Sequence, residues 1–266
     1  MAQRVVPTIG RTFRFISNIG LVEIFFVSMA FIFYYVSRGL VVERTAEATS
    51  RAIQVVELEQ RLGIFLWETK MQAWVASSWI LAQLFNDIYV YAHLPLIGIV
   101  GLWLFFFHRE RYVLLRNAFL ISGGIGLIIF NLFPMAPPRL LPWPLSDEVV
   151  DTMVSFSKVN YDIQPAAFVN HYAAMPSLHF GWNLLLGLGI IWNTKHIWAK
   201  AFGVIMPTAM LLAVVVTGNH FILDVVAGTV VALGGLGIAY LIDRQGPRLW
   251  RLILPDRVFR HLARSS

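Results

Sequence analysis

Long apolar runs separated by short polar segments dominate this chain. We interpret six of them as membrane spans, covering residues 16–36, 79–107, 113–133, 178–192, 201–217 and 221–242. The first run has 21 residues, interrupted by Glu23, and crosses roughly 30 Å of hydrocarbon at about 1.5 Å per residue. It exceeds a signal-peptide core, and no small-residue cleavage site follows it. The pattern predicts an all-α polytopic membrane protein built as a bundle of six transmembrane helices.

The second run is the least regular, because the apolar stretch 74–107 is long for one helix. Asn86 and Asp87 lie in its middle without a Gly or Pro turn. Whether this stretch forms one span or two stays open at this point.

Two segments between the spans have a different character. In residues 38–73, Val55, Leu58, Leu62 and Phe65 recur at helical spacing among Glu57, Glu59, Arg61 and Glu68. This pattern predicts amphipathic helices that either rest in the headgroup region or form a short packed pair. Residues 134–176 hold seven of the twelve prolines, which predicts an ordered loop above the bundle.

Composition agrees with a membrane protein of one domain, residues 1–266. The apolar residues AVILMFWYC make up 58% and the charged residues 14%, against a usual charged share of about 25%. So few charges exclude both an ordinary water-soluble globule and a disordered chain. The absence of cysteine excludes disulfides, thiolate metal sites and a cysteine nucleophile.

The charge distribution indicates orientation rather than nucleic-acid binding. Of the 21 Lys and Arg, 14 fall on the face that six spans assign to both termini. The positive-inside rule therefore predicts cytoplasmic termini and an extracytoplasmic opposite face. The Arg-rich, cysteine-free composition favours a bacterial plasma membrane.

The polar residues in and near the spans carry the candidate chemistry. Asp224 stands four residues after His220, so a helix places both side chains on one face. Such a carboxylate fixes the imidazole tautomer and activates the other nitrogen as a nucleophile. The alternative is that the two groups only neutralise each other inside the bundle.

Two further groups are placed at the same end of the bundle. His179 follows the helix start at Pro176 and the candidate N-cap Ser177, where an anion is favoured and a histidine can act as general acid. Arg139 follows the third predicted span with no acidic residue within seven positions, which suits a phosphate ligand. The alternatives are a water-satisfied interfacial histidine and an arginine that reaches the lipid headgroups.

Asn86, Tyr89 and His93 form one polar stripe along the second predicted helix. They either bind a polar substrate head or make hydrogen bonds between helices. Helix glycines such as Gly187 are expected at close helix contacts.

These residues carry a resemblance to a known family. The run from Pro176 to His179, and His220 with Asp224, resemble the second and third motifs of the type 2 phosphatidic acid phosphatase superfamily. Ala136-Pro-Pro138, Tyr172-Ala-Ala-Met-Pro-Ser-Leu-His179 and Asn219-His220 look like its inositol phosphorylceramide synthase branch. The resemblance covers about 86–242.

The resemblance implies a function and roles. His220 attacks phosphorus, Asp224 is its carboxylate partner, and His179 protonates the leaving group. Arg139 contacts the phosphoryl oxygens, Ser177 holds the position of a further phosphate contact, and Asn219 and Tyr172 belong to the matching motifs. With the polar stripe of Asn86, Tyr89 and His93, these are the expected substrate-binding residues. The implied substrate is a phospholipid or lipid phosphate, handled without metal or other cofactor through a phosphohistidine.

Departures from the family motifs bear on the reaction. The family has a lysine seven residues before the first-motif arginine and Ser-Arg before the third-motif histidine, where this chain has Leu132, Ala213 and Val214. These losses resemble the synthase-like branch and favour transfer to an alcohol acceptor. Plain hydrolysis of phosphatidate or a polyprenyl diphosphate is the alternative. A haem carrier with two histidine ligands and a transporter are alternatives from other classes.

Overall fold

The described part of the chain is helical. The computed structural model describes residues 44–156 and 171–253, with side chains to Gln245, and scattered positions between 20 and 32. Its helices are α1 (Thr45–Arg61), α2 (Phe65–Ala76), α3 (Trp79–Phe107), α4 (Arg109–Leu132), α5 (Thr152–Phe156), α6 (Leu178–Asn193), α7 (Ile197–Val216) and α8 (Ile222–Ile253). Within this part, α3, α4, α7 and the 222–245 portion of α8 are long and apolar enough to cross a membrane.

The six predicted spans fare differently. Four correspond to these long helices. In the stretch 74–107, residues 74–76 end α2 and residues 79–107 form one candidate span, α3. The first predicted span, 16–36, lies mostly outside the described residues, although its described positions are helical. The fourth corresponds to α6, whose 16 residues reach only about 24 Å. The count of six is therefore not confirmed.

A π-helical turn interrupts α3 at Ile88–Ala92. Pro95 follows in the next helical segment and has no N–H to donate to the carbonyl of Tyr91. A wider turn just before the proline accommodates this missing bond. The turn also lies where Tyr89 and His93 reach the site described below.

Glycines bring α6 close to its two neighbours. A Cβ on Gly187 would lie 2.2 Å from the carbonyl oxygen of Gly203 on α7, and one on Gly181 would lie 2.7 Å from that of Gly228 on α8. A larger residue does not fit at either position without moving the helices, since the nearest atom is a main-chain oxygen. Close packing at Gly187 is thus confirmed.

The amphipathic pair α1–α2 packs on the protein rather than presenting a simple polar face. Its buried positions on α1 are Ala48, Ala52, Val55, Val56 and Glu59. The sequence placed Glu59 and Glu68 on the polar face and Leu58 and Leu62 on the apolar one, and this was wrong. The two glutamates are 0% and 1% exposed, whereas the two leucines are 47% and 58% exposed. The glutamates are buried because their carboxyl oxygens meet main-chain N–H groups of α8.

The loop after α4 covers the end of the bundle against which α1 packs. Met135 pairs with Ala173 in an isolated β-bridge, and the N–H of Ala136 donates to the carbonyl of Ala48 on α1. The opposite end is tied by Glu23, which forms ion pairs with Arg109 and Arg116 on α4. These contacts define a site end and a far end of the bundle.

Candidate active site

Four helix ends meet at the site end of the bundle. They are the end of α4, the start of α6, the end of α7 and the start of α8. Gly218 has a φ of +70° and ends α7 in the left-handed conformation that glycine adopts at helix ends. Its carbonyl accepts from the N–H of Arg139. The turn after α7 and the loop after α4 are therefore joined directly.

His220 is buried, and its ring is held through Nδ1. This atom lies 2.8 Å from the carbonyl oxygen of Ala174 and 3.4 Å from Oδ2 of Asp224. Both partners are acceptors, so Nδ1 carries the proton and Nε2 of the neutral ring has the free electron pair. Asp224 Oδ2 also accepts from the N–H of Phe221. The predicted contact of Asp224 with His220 is present, but the shorter bond is to Ala174.

His179 lies in the first turn of α6 beside two residues of α3. Its ring centroid is 4.6 Å from that of Tyr89 and 4.5 Å from that of His93. Behind it, Nδ1 of His93 lies 2.8 Å from Nδ2 of Asn183. Two of the three residues of the polar stripe therefore support the His179 ring.

The two histidines of the predicted mechanism share one space. Their ring centroids are 6.2 Å apart, with an angle of 51° between the ring planes. Reacting atoms in a productive complex lie about 3–3.5 Å apart. The two rings therefore line one space, in which a phosphoryl group would meet His220 and its leaving oxygen would meet His179.

Arg139 reaches the same space from the loop after α4. Its Nε donates to Oδ1 of Asn219 at 3.1 Å, and the Asn219 amide donates to Thr217. Its Nη1 lies 3.8 Å from Oδ2 of Asp151. The sequence did not indicate Asp151, because it lies twelve positions after Arg139. The proline-rich loop between the two residues folds back and places Asp151 beside Arg139.

A cavity of about 60 Å³ lies between these groups. Its walls combine polar and apolar side chains: Tyr89, Phe130, Pro137, Arg139, His171, Ala173, Ala174, Pro176, Leu178, His179, Asn219 and His220. Tyr89, Arg139, His179, Asn219 and His220 were predicted from the sequence. His171 was missed, because a histidine inside a proline-rich loop carries no periodic signal.

Other predicted residues lie outside the cavity wall. Asn86 is buried. Its side-chain nitrogen donates to the carbonyl of Thr152 on α5, and its side-chain oxygen accepts from the Thr152 hydroxyl. Of the two alternatives for Asn86, the structure therefore shows the hydrogen bond between helices. His93 contacts the wall through His179, and the carbonyl of Tyr172 accepts from Met135. Ser177 precedes α6 as predicted, but its hydroxyl makes no capping bond. That hydroxyl is buried without a hydrogen-bond partner among the described residues.

No metal cluster occurs within the described ranges. There, no three His, Asp or Glu side chains are arranged to hold a metal ion. Near His220, the chain departs from the family motif at two positions. The residues at these positions, Ala213 and Val214, are both fully buried.

Comparison with known proteins gives one family and one solved structure. The family model of the PAP2 superfamily matches residues 53–238, which is more than half of the chain. The crystal structure of Aquifex aeolicus LpxE is similar at 17% identity and a TM-score of 0.47, covering 67% of this chain and 93% of that one. The comparison with curated proteins found no match.

Proposed function

The chain belongs to the PAP2 superfamily, and we propose that it transfers a phosphoryl group of a membrane lipid through a phosphohistidine formed on His220. Membership identifies it as an enzyme that acts on a lipid phosphate. The observation that carries the mechanism is the 6.2 Å separation of His179 and His220 across a cavity that Arg139 also lines.

The first step follows from the tautomer of His220. Nε2 attacks phosphorus in line, and the bond from phosphorus to the lipid oxygen breaks as the new P–N bond forms. Nδ1 keeps its proton and holds the ring against Ala174 and Asp224. The carboxylate of Asp224 stabilises the positive charge that develops on the ring.

His179 and Arg139 serve the other side of the reaction. His179, in its protonated form, gives its proton to the departing oxygen and afterwards takes one from the acceptor. Arg139, held by Asn219, stabilises the equatorial phosphoryl oxygens as a planar cation. Water or an alcohol then attacks the phosphohistidine and releases His220 for another turnover.

The acceptor decides between a transferase and a phosphatase. Two family cations are missing, at Leu132 and Val214, and Ala213 replaces a serine. These losses favour a transferase of the inositol phosphorylceramide synthase type. Plain hydrolysis is the second candidate, favoured by the family membership itself. We place the site at the extracytoplasmic face of a bacterial plasma membrane, with cytoplasmic termini and six spans, from the distribution of Lys and Arg.

The test is a substrate panel. Purified protein in lipid vesicles receives labelled phosphatidate, a polyprenyl diphosphate or a phosphodiester lipid, with EDTA and with or without a second lipid alcohol as acceptor. A transferase makes a new phospholipid only when the acceptor is present, whereas a phosphatase releases inorganic phosphate. In either case His220→Asn must abolish product and the acid-labile protein label. Turnover that survives His220→Asn contradicts the mechanism, and a Soret band in the visible spectrum would support the haem alternative.

A further inference from the structure

The helical pair α1–α2 packs behind the turn that carries His220. Phe221, the residue after this histidine, is fully buried in a cluster with Ala48 and Val56 of α1 and Phe65 of α2. Val216, at the end of α7, packs with Val75 of α2. The pair therefore contacts the main chain on both sides of the turn 217–221.

Three side chains of the pair bond to that main chain. Gln72 donates to the carbonyl of Val215, at the end of α7. On the other side, Glu68 accepts from the N–H of Ile222. Glu59 accepts from the N–H of Leu223 at 2.9 Å. The turn is thus held between one amide and two carboxyl groups.

These bonds complete the start of α8. The first N–H groups of a helix have no partner within the helix. At α8, Asp224 accepts from Phe221 at 3.0 Å, and the two glutamates accept from the next two residues. The direction in which α8 leaves the turn, and with it the place of Asp224, depends on where these carboxyl groups sit.

The two glutamates form a buried carboxyl pair, and each affects the pKa of the other. Burial is the main cause that raises the pKa of both, and for Glu68 the pKa reaches about 9. Besides each other, the titratable group that faces them is Asp224 on α8. At neutral pH Glu68 is therefore protonated, and one of its carboxyl oxygens accepts from the N–H of Ile222.

We propose that Glu59 and Glu68 are positioning residues for phosphoryl transfer, which hold the start of α8 so that Asp224 stays beside His220 and the His220 ring faces the cavity. Neither residue lines the cavity, so they act through the helix start. The inference rests on the function proposed above. Small displacements of a reacting group are costly, since a shift of about 1 Å can lower the rate about 100-fold.

The first test compares two replacements of Glu68. Glu68→Gln stays neutral, keeps an oxygen for the N–H of Ile222, and should retain kcat near the wild-type value. Glu68→Met fills the space but leaves the Ile222 N–H unpaired, and should lower kcat by about 10- to 100-fold with little change in KM. Glu23→Met removes a buried carboxylate at the far end of the bundle and serves as the matched control, with kcat of the folded protein unchanged.

The second readout does not depend on turnover. In protein labelled with ¹⁵N-histidine, the Nδ1 signal of His220, identified by its loss in His220→Asn, should shift in Glu68→Met and not in Glu23→Met. A wild-type protein that turns over no lipid phosphate, with the shift still present, would contradict the proposed function and leave the positioning role supported.

Specific results overturn the inference. One is a Glu68→Met protein with wild-type kcat and an unchanged His220 signal. Another is a Glu68→Gln protein that loses as much kcat as Glu68→Met, because a neutral acceptor is then insufficient. If Glu68→Met does not fold, the two glutamine variants test the inference. Glu59→Gln and Glu68→Gln must both keep the wild-type kcat. Above pH 9, Glu68→Gln must also keep its kcat at least as well as the wild type does.

Discussion

Nδ1 of His220 lies 2.8 Å from the main-chain oxygen of Ala174, closer than the 3.4 Å to the Asp224 carboxylate. Ala174 belongs to the loop that leads into α6, and His179 lies in the first turn of α6. The nucleophile of the proposed reaction is thus oriented by the segment that supplies its acid partner. The Ala174 carbonyl fixes the tautomer of the His220 ring, and the Asp224 carboxylate stabilises the positive charge that develops on this ring.

This division predicts a partial loss for Asp224→Asn. The Phe221 N–H donates to Oδ2 and should select the amide oxygen of the variant for that position, so the Nδ1–H tautomer is kept. Loss of the charge should lower kcat by about 10- to 100-fold, because a hydrogen bond to a charged group contributes about 1.5–3 kcal/mol and about 1.4 kcal/mol is tenfold in rate. Single-turnover phosphorylation measures it, with His220→Asn as the inactive reference. A variant as inactive as His220→Asn contradicts the role given to Ala174.

The role of His179 as general acid predicts a dependence on the leaving group. His179→Gln should lower kcat for an alkyl lipid phosphate by about 100- to 10,000-fold, the usual contribution of a positioned acid. An ester with an activated leaving group, such as a nitrophenyl phosphate lipid, needs no proton and should lose far less. Equal losses on both substrates would assign His179 to binding instead.

Arg139 is predicted to act through its planar shape as well as its charge. Arg139→Lys keeps the charge but loses the Nε bond to Asn219 and the fork that matches phosphate. We expect kcat/KM to fall by about 10- to 100-fold, from about 1.5–3 kcal/mol of charge-assisted bonding. Asp151→Asn is the control: its contact of 3.8 Å is partly exposed, so a change above about fivefold is not expected. A Lys variant with wild-type kcat/KM contradicts the prediction.

The sequence predicted which side chains meet at the site better than it predicted their surroundings. An ionisable group in or beside an apolar run is costly, so it indicates a functional site. Helical spacing then shows which of these groups share a face. These two criteria identified His179, His220, Asp224 and Arg139. The Ala174 carbonyl escaped, since a main-chain acceptor 46 residues away leaves no mark on residue type.

The same reasoning failed for the helices outside the spans. In α1 and α2, polarity assigned Glu59 and Glu68 to a solvated face, but their N–H partners lie on α8, more than 150 residues away. Periodicity reports which positions share a face, and it cannot report that a distant helix start needs acceptors there. The extent of α6 was predicted within one residue, 178–192 against Leu178–Asn193, although 16 residues are short for a membrane span.

The buried carboxyl pair predicts a pH-dependent stability. Burial raises the pKa of Glu68 from 4.5 to about 9 and that of Glu59 to about 7. Between pH 4.5 and 9 the folded protein therefore binds more protons than the unfolded chain, so its free energy of unfolding falls as pH rises. Thermal unfolding in detergent should show Tm decreasing from pH 5 to 9, and Glu68→Gln should flatten this slope. An equal slope in both proteins would contradict the buried pair as its source.

The close contact between α6 and α8 predicts opposite results for two glycines of α8. A Cβ on Gly228 would lie 2.3 Å from the carbonyl oxygen of Ser177, whereas one on Gly234 would meet nothing within 4 Å. Gly228→Ala must therefore push the start of α6 away from α8, at a cost of about 1–3 kcal/mol for overpacking. Gly234→Ala should leave stability unchanged or raise it by up to about 1 kcal/mol, because alanine favours the helix.

The same displacement should reach the active site. The N–H of Ser177 donates to the carbonyl of Asp224 at 3.0 Å, and His179 follows two residues later, so moving Ser177 separates His179 from His220. We expect kcat per folded molecule to fall for Gly228→Ala and to stay at the wild-type value for Gly234→Ala, measured with Tm on the same samples. If both alanine variants kept wild-type kcat and Tm, α6 and α8 could not be as close as the contact at Ser177 requires, and the 6.2 Å separation of the two histidines would lose its structural basis.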